Sequence, residues 1–228
     1  FMQPSVAQPS TLNHQPLVGW DVKHLLRLIV TSATYRQNSS VTPKHWQADP
    51  ANRLLARGPR FRLDAEMIRD NALFVSGLLV EKMGGRGVRP YQPSGIWEAV
   101  GYTSSNTAKF QQDHGEALYR RSLYTFWKRT APPPYLSTFD APSREKYCTR
   151  RERTDTPLQA LVTMNDPAYV EAARHLSARM LEQTAKADDR LNFGFRLVTA
   201  RQPAASERIV LQGALRTFLA KYGSDPEA

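Results

Sequence analysis

Two helix starts in close succession, at Thr156 and Asp166, constrain the fold of this chain more than any other feature. Thr156 is followed by Pro157, which suits the first helical position, and by Gln159, whose side chain can complete a capping box. Asp166 is likewise followed by Pro167, so the first helix can run for only about two turns before the second begins. Two capped helices in succession predict a packed helical context.

Apolar residues recur at helical spacing along much of the remaining chain. The longest helix is expected over residues 64–83, where a Gly-Gly pair at 84–85 would end it. The pattern predicts an all-α fold, an irregular bundle of about six or seven helices with long Pro- and Gly-rich connections. Predicted helices begin at or near Asp21, Asp64, Thr156, Asp166 and Ser206, and another passes through Leu191, Phe195 and Val198.

The segment 115–134, GEALYRRSLYTFWKRTAPPP, fits a helix and a strand almost equally well. Tyr119, Leu123 and Phe126 share one helical face, which favours the helix by a small margin. Its three final prolines form a stiff spacer that ends the element.

The expected domain organisation is simple. Residues 1–18 are rich in Pro, Gln and Ser and lack periodicity, so we expect an extended arm or a non-native junction there. Residues 19–222 are predicted to form a single α-helical domain, and residues 223–228 a tail.

The composition is that of a basic globular protein. The chain of 228 residues has a formal charge of +10, which attracts polyanions without specificity. The lone cysteine excludes an intramolecular disulfide framework, and the chain has no apolar run long enough to cross a bilayer.

Arginines concentrate in the middle of the chain, interleaved with aromatic residues. Arginine favours planar, bidentate partners such as carboxylate, phosphate or sulfate. The alternative is that these guanidinium groups pair with internal acids and that the aromatic side chains are core. The ligand-binding candidates are Arg120, Arg121, Trp127, Arg129, Arg144, Arg150, Arg151 and Arg153.

The sequence contains only weak indications of catalytic residues. Asp113 and His114 could supply an acid and a base, although a surface pair at a helix start explains them equally well. Asp140, Ser143 and Glu145 lie beside the arginines, where turn chemistry also accounts for the first two. The five histidines lack the spacing of a helical zinc site, and no phosphate loop or nucleophile elbow occurs, so we predict neither metal nor cofactor.

Several blocks of the chain resemble a known family. They are WDVKHLLRLIVTSATYRQ, DPANRLLARGPRFRLDAEMIRDNAL, PYQPSGIWEAVGY, YRRSLYTFWKRTAPPP, FDAPSRE, RRERTDTPLQAL and MNDP. Together they resemble the C-terminal domain of unknown function of large exported multidomain proteins of planctomycetes and verrucomicrobia, which often carry a cytochrome c module. The resemblance covers roughly residues 19–222 and leaves out residues 1–18.

This resemblance implies a periplasmic or cell-envelope protein with a part in polysaccharide breakdown. It supplies no catalytic residues to transfer, and it implies no haem because the haem-binding motif is missing from this chain.

Our first hypothesis is a binding or scaffolding module for an anionic partner, either an acidic polysaccharide or an upstream domain of the parent protein. The alternative is a hydrolase of an anionic ester, phosphoester or glycan. Nucleic acid is disfavoured as a partner because the chain has no recognition-helix signature.

Overall fold

The computed structural model describes residues 20–223 and is all-α over that range, as the sequence predicts. Only isolated bridge pairs occur in this part of the chain, such as Val80 with Arg120 and Val88 with Thr125. The predicted arm at residues 1–18 lies outside the described residues, as does the predicted tail beyond Gly223. The helices are α1 (Val22–Thr31), α2 (Pro43–Ala48), α3 (Ala65–Ser76), α4 (Pro134–Thr138), α5 (Pro157–Asn165), α6 (Pro167–Gln183), α7 (Ala187–Thr199) and α8 (Ala205–Tyr222).

The chain divides into two compact units, Phe1–Phe61 and Arg62–Ala228. The predicted single domain over residues 19–222 stays a prediction. In the first unit α1 begins after Asp21, whose carboxylate accepts the His24 N–H at 3.0 Å. The short helix α2 lies in a segment that the sequence analysis did not assign to a helix.

Helix α3 is the centre of the second unit, where it packs against α4, α6 and α7. It is shorter than predicted, because Gly77 adopts a left-handed backbone with φ of 81° and ends the helix after Ser76. Gly84 and Gly85 also have positive φ, but they lie in the following loop and end no helix.

The buried face of α3 includes a charged residue. Ala65, Arg69 and Leu73 are buried, whereas the apolar residues Met67 and Phe74 of the same helix are 55% and 61% exposed. The reason is that an arginine occupies a core position on this helix, with its guanidinium donating into neighbouring loops.

The core of the second unit forms where α3, α4 and α6 meet. It comprises Ala65, Tyr135, Leu136, Phe139 and Tyr169. The two predicted helix starts beside it are confirmed, since α5 begins at Pro157 and α6 at Pro167. The Asp166 carboxylate accepts the Ala168 N–H at 2.9 Å, which is the expected cap.

The segment 115–134 is not the predicted helix. It holds two short 3₁₀ helices, Gly115–Tyr119 and Ser122–Tyr124, and α4 begins only at its last residue, Pro134. Long side chains bind its backbone instead of helical neighbours: Arg69 donates to the carbonyls of Leu118 and Arg120 at 2.5 and 2.9 Å. Such contacts come from residues far away in sequence, so local periodicity does not reveal them.

Helices α7 and α8 end the described chain, and α8 packs against α7. The last helix begins one residue before the predicted Ser206 and is followed by Gly223 as expected. It exposes several large apolar side chains, including Val210 and Leu219. Over residues 20–223, none of the helices combines the length and the apolar character that a bilayer crossing requires.

Candidate functional site

Two of the predicted ligand-binding arginines are engaged within the protein. Arg120 is 6% exposed, stacks on the Tyr124 ring at 3.8 Å, and donates to the carbonyls of Lys82 and Arg86 at 2.9 and 3.2 Å. Arg121 is exposed, and its Nε lies 3.4 Å from a carboxylate oxygen of Asp70. Arg120 therefore contributes to stability, because it is buried and both of its Nη atoms donate to backbone carbonyls.

A second group of candidates forms a stack at the start of the loop after α4. The Arg144 guanidinium lies 4.5 Å from the centre of the Trp127 ring, whose Nε1 donates to the Ser143 carbonyl at 2.9 Å. The Ser143 hydroxyl accepts the Glu145 N–H at 3.3 Å, a contact typical of a turn. Arg129 is exposed and makes no side-chain hydrogen bond or ion pair with the described residues.

The remaining arginines converge on one open cleft of about 720 Å³, which we call the arginine cleft. Asp64, the N-cap residue of α3, lines this cleft together with residues of the loop. The cleft is lined by Asp64, Arg150, Arg151, Glu152, Arg153 and Thr154.

Arg151 is held firmly on one side of the cleft. Its two Nη atoms donate to the two carboxylate oxygens of Glu66 at 2.6 and 3.2 Å, and Asp64 lies farther away at 3.8 Å. The hydrogen bond to Glu66 raises the pKa of Arg151 above its ordinary value. This bidentate pair orders the loop against α3.

Asp64 is bound less tightly than Glu66. It lies 3.4 Å from Arg153 Nε, and its carboxylate makes no capping hydrogen bond to α3 although it occupies the N-cap position. Arg150 is exposed in the same cleft and makes no side-chain hydrogen bond or ion pair with any residue in the described range 20–223. The cleft thus contains a guanidinium that an external anion can reach.

Asp113, the first candidate acid or base, is an internal acceptor. Burial raises its pKa, but hydrogen bonds from the Arg86 guanidinium at 2.7 Å and the Arg89 N–H at 2.8 Å outweigh this and leave the pKa below its ordinary value. His114 is exposed and precedes a 3₁₀ helix. A carboxylate held ionised by two donors is a poor proton donor near neutral pH.

Asp140 is also an internal hydrogen-bond acceptor, in a different loop. It accepts from the Arg62 guanidinium and from the Thr154 N–H and hydroxyl, the N–H at 2.8 Å. Burial raises its pKa, yet the bonds from Thr154 and Arg62 prevail and lower the pKa overall. Its left-handed backbone, with φ of 61°, places the carboxylate in this network. Glu145 remains exposed outside the network.

Sequence reasoning missed Arg62 and Glu66 as functional neighbours and treated Asp64 as a helix cap only. Glu66 meets Arg151 across 85 positions of sequence, so no local pattern could have paired them. The one available signal was the excess of arginine over acid in residues 144–153, which requires acidic partners from elsewhere in the chain.

Other polar clusters are structural. The Tyr119 hydroxyl donates to Glu171 at 2.8 Å, and burial raises the pKa of Tyr119. Within residues 20–223 no group of three or more His, Cys, Asp or Glu side chains is arranged to hold a metal ion.

Comparison with known proteins gives one match. The model of the family PSD1, described as a protein of unknown function (DUF1553), matches residues 15–215. Searches of curated proteins and of solved structures found no match.

Proposed function

Because the chain belongs to the PSD1 (DUF1553) family of proteins of unknown function, we propose a function from its own geometry: it is a binding module that receives an anionic partner in the arginine cleft. The observation that carries this proposal is the exposed, uncommitted guanidinium of Arg150 beside Arg151 and Arg153 in an open cleft. The partner is an acidic polysaccharide or an acidic surface of another domain.

The hydrogen bonds and the pKa values of the candidate acids support a binding function over hydrolysis. Asp113 and Asp140 accept two or more hydrogen bonds each, and the pKa of each lies below its ordinary value. A general acid in a hydrolase needs a pKa raised toward neutrality. The hydrolase hypothesis therefore loses Asp113 and Asp140 as general acids.

Guanidinium chemistry determines the class of partner. Each guanidinium presents planar pairs of N–H donors that match the oxygens of a carboxylate, sulfate or phosphate. The net charge of +10 adds long-range attraction for a polyanion. We also propose the periplasm or cell envelope as the compartment, on the strength of the sequence resemblance; cell fractionation with an antibody to the chain tests this.

Binding of a sulfated oligosaccharide in solution tests the proposed function. We expect wild-type protein to bind at low salt and to lose affinity progressively as salt rises, because the contacts are ionic. Arg150→Ala should weaken binding about tenfold, the loss expected for one charge-assisted contact of about 1.4 kcal/mol.

Arg129→Ala is the matched control, since Arg129 is also exposed but does not line the cleft. Its affinity should stay within about twofold of wild type. Absence of binding at low salt, or an equal loss in the two variants, would overturn the proposal.

A further inference from the structure

We infer that Asp64 is a tethered counter-ion of the arginine cleft that excludes isolated carboxylates and yields to closely spaced sulfate groups. This inference rests on the proposed function, and it narrows the ligand from any polyanion to a densely sulfated one. Asp64 lines the cleft and lies within 3.4 Å of Arg153 and 3.8 Å of Arg151.

The two acids beside the cleft differ in how they hold their arginines. Glu66 binds Arg151 through two hydrogen bonds, the shorter at 2.6 Å, and so fixes that guanidinium in place. Asp64 reaches Arg153 only at 3.4 Å, beyond the usual length of a charge-assisted hydrogen bond. Asp64 is therefore the acid that an incoming anion can displace, while Glu66 is an anchor.

The local position of Asp64 leaves its carboxylate available for this role. It is the N-cap residue of α3, but its side chain makes no hydrogen bond to the helix backbone. Its side chain is 22% exposed, so it meets both the arginines and solvent at the cleft wall. Moving it away from Arg153 breaks no capping interaction.

Attachment to the chain gives Asp64 an advantage over a free carboxylate. Because Asp64 is part of the chain, it competes for the arginine at an effective concentration of about millimolar or higher. A single external carboxylate forms the same ion pair with the guanidinium but lacks this advantage. A lone uronate should therefore fail to displace Asp64. Neighbouring sulfate groups can bind Arg150 and Arg153 together, and two linked contacts overcome the tether.

The charge of the cleft agrees with this selectivity. Three arginines line it, and Asp64, Glu152 and the adjacent Glu66 balance them, so the site as a whole is neutral. A neutral site attracts a weakly charged chain poorly. Loss of the Asp64 charge would leave the site with a net positive charge, and the site would then also bind weakly charged ligands.

Asp64→Asn tests the inference directly, because asparagine is as good an N-cap as aspartate and the helix start should be preserved. Two probes are used, a sulfated glycosaminoglycan oligosaccharide and an unsulfated one of equal length that carries only carboxylates. Wild type should bind the sulfated probe about tenfold or more tightly than the unsulfated one. Asp64→Asn should gain about threefold to tenfold for the unsulfated probe and less for the sulfated probe, so that the preference narrows.

Asp155→Asn is the control, since it removes the same charge from the same loop but does not line the cleft. Its affinities for the two probes should change by less than about twofold. If the two Asn variants gain equally, or if Asp64→Asn leaves the preference unchanged, the inference fails while the proposed function stands. If wild type and Asp64→Asn bind neither probe at low salt, the proposed function itself is overturned.

Discussion

Asp140 shows how a single residue can hold two loops together. Its carboxylate links Arg62 to Thr154, and Gln159 joins the network by donating to the Thr154 hydroxyl at 3.1 Å. Arg62 also donates to the backbone carbonyls of Leu63 and Thr154, both at 2.9 Å. The network fixes the chain on both sides of the loop that carries the arginine cleft.

Replacing Asp140 should destabilise the protein in a pH-dependent way. Asparagine tolerates the left-handed backbone at this position, so Asp140→Asn removes the charge with little backbone strain. We expect a loss of about 1–3 kcal/mol at neutral pH, measured by denaturant unfolding.

The sign of the pH dependence follows from the lowered pKa of Asp140 in the folded protein. Its contribution is complete above the unfolded-state pKa of about 3.9, and it is lost as pH falls through the lower, folded-state pKa. The stability difference between wild type and Asp140→Asn should therefore shrink below about pH 4. Asp155→Asn serves as control and should change stability by less than about 0.5 kcal/mol; an equal loss in both variants would contradict this role.

At the level of elements, the ends of helices are decided by backbone conformation more than by apolar patterning. The apolar run continues past Ser76, yet α3 stops there because Gly77 turns left-handed. The guanidinium of Arg179 on α6 then donates to the Val75 carbonyl, which the helix leaves without an internal partner.

Two glycine substitutions should have opposite effects. A Cβ at Gly77 would meet Arg179 Cδ at 3.5 Å, an ordinary contact, so Gly77→Ala should lose about 1–2 kcal/mol through backbone strain alone. A Cβ at Gly213, inside α8, would meet no atom within 4 Å, so Gly213→Ala should gain about 0.5–1 kcal/mol. Thermal unfolding of the two variants measures both changes in stability. If the unfolding temperatures of the two variants shift in the same direction, this account of the helix end is refuted.

The same distinction explains how much of the fold the sequence predicts. The starts of α5 and α6 follow from Thr156, Asp166 and the prolines behind them, because capping is a local property. The conformation of residues 115–124 does not follow from the local sequence, because Arg69 on α3 donates to carbonyls in this segment that lie 49 and 51 positions away. A long apolar and aromatic run held by distant arginines looks helical in sequence.

At the scale of the whole molecule, the basic character of the chain has two separate origins. Buried or stacked arginines such as Arg69 and Arg120 cross-link irregular loops, and they are unavailable to a partner. The guanidinium of Arg150 remains accessible in the cleft. The net charge therefore overstates how many arginines can bind an external anion. We expect anion binding to be confined to a small part of the protein surface.

The candidate site could be predicted from the sequence only in part. The excess of arginine in residues 144–153 singles out the loop that carries the proposed site, but the acids that contact these arginines, Asp64 and Glu66, lie at the start of α3. Arg120 lies among aromatic residues in the sequence, and in the structure the Tyr124 ring and the distant carbonyl of Lys82 already engage it. Which arginines stay accessible depends on tertiary partners that single-sequence patterns do not encode.

Hydrogen exchange resolved by residue, with and without a sulfated oligosaccharide at low salt, tests the central claim most directly. We predict slower exchange on binding in residues 150–154, which line the arginine cleft, and in the first turn of α3, which follows the lining residue Asp64. Arg208 and Arg216 on the basic helix α8 should show no such change. Protection spread evenly over the basic surface, or concentrated on α8, would contradict a dedicated cleft.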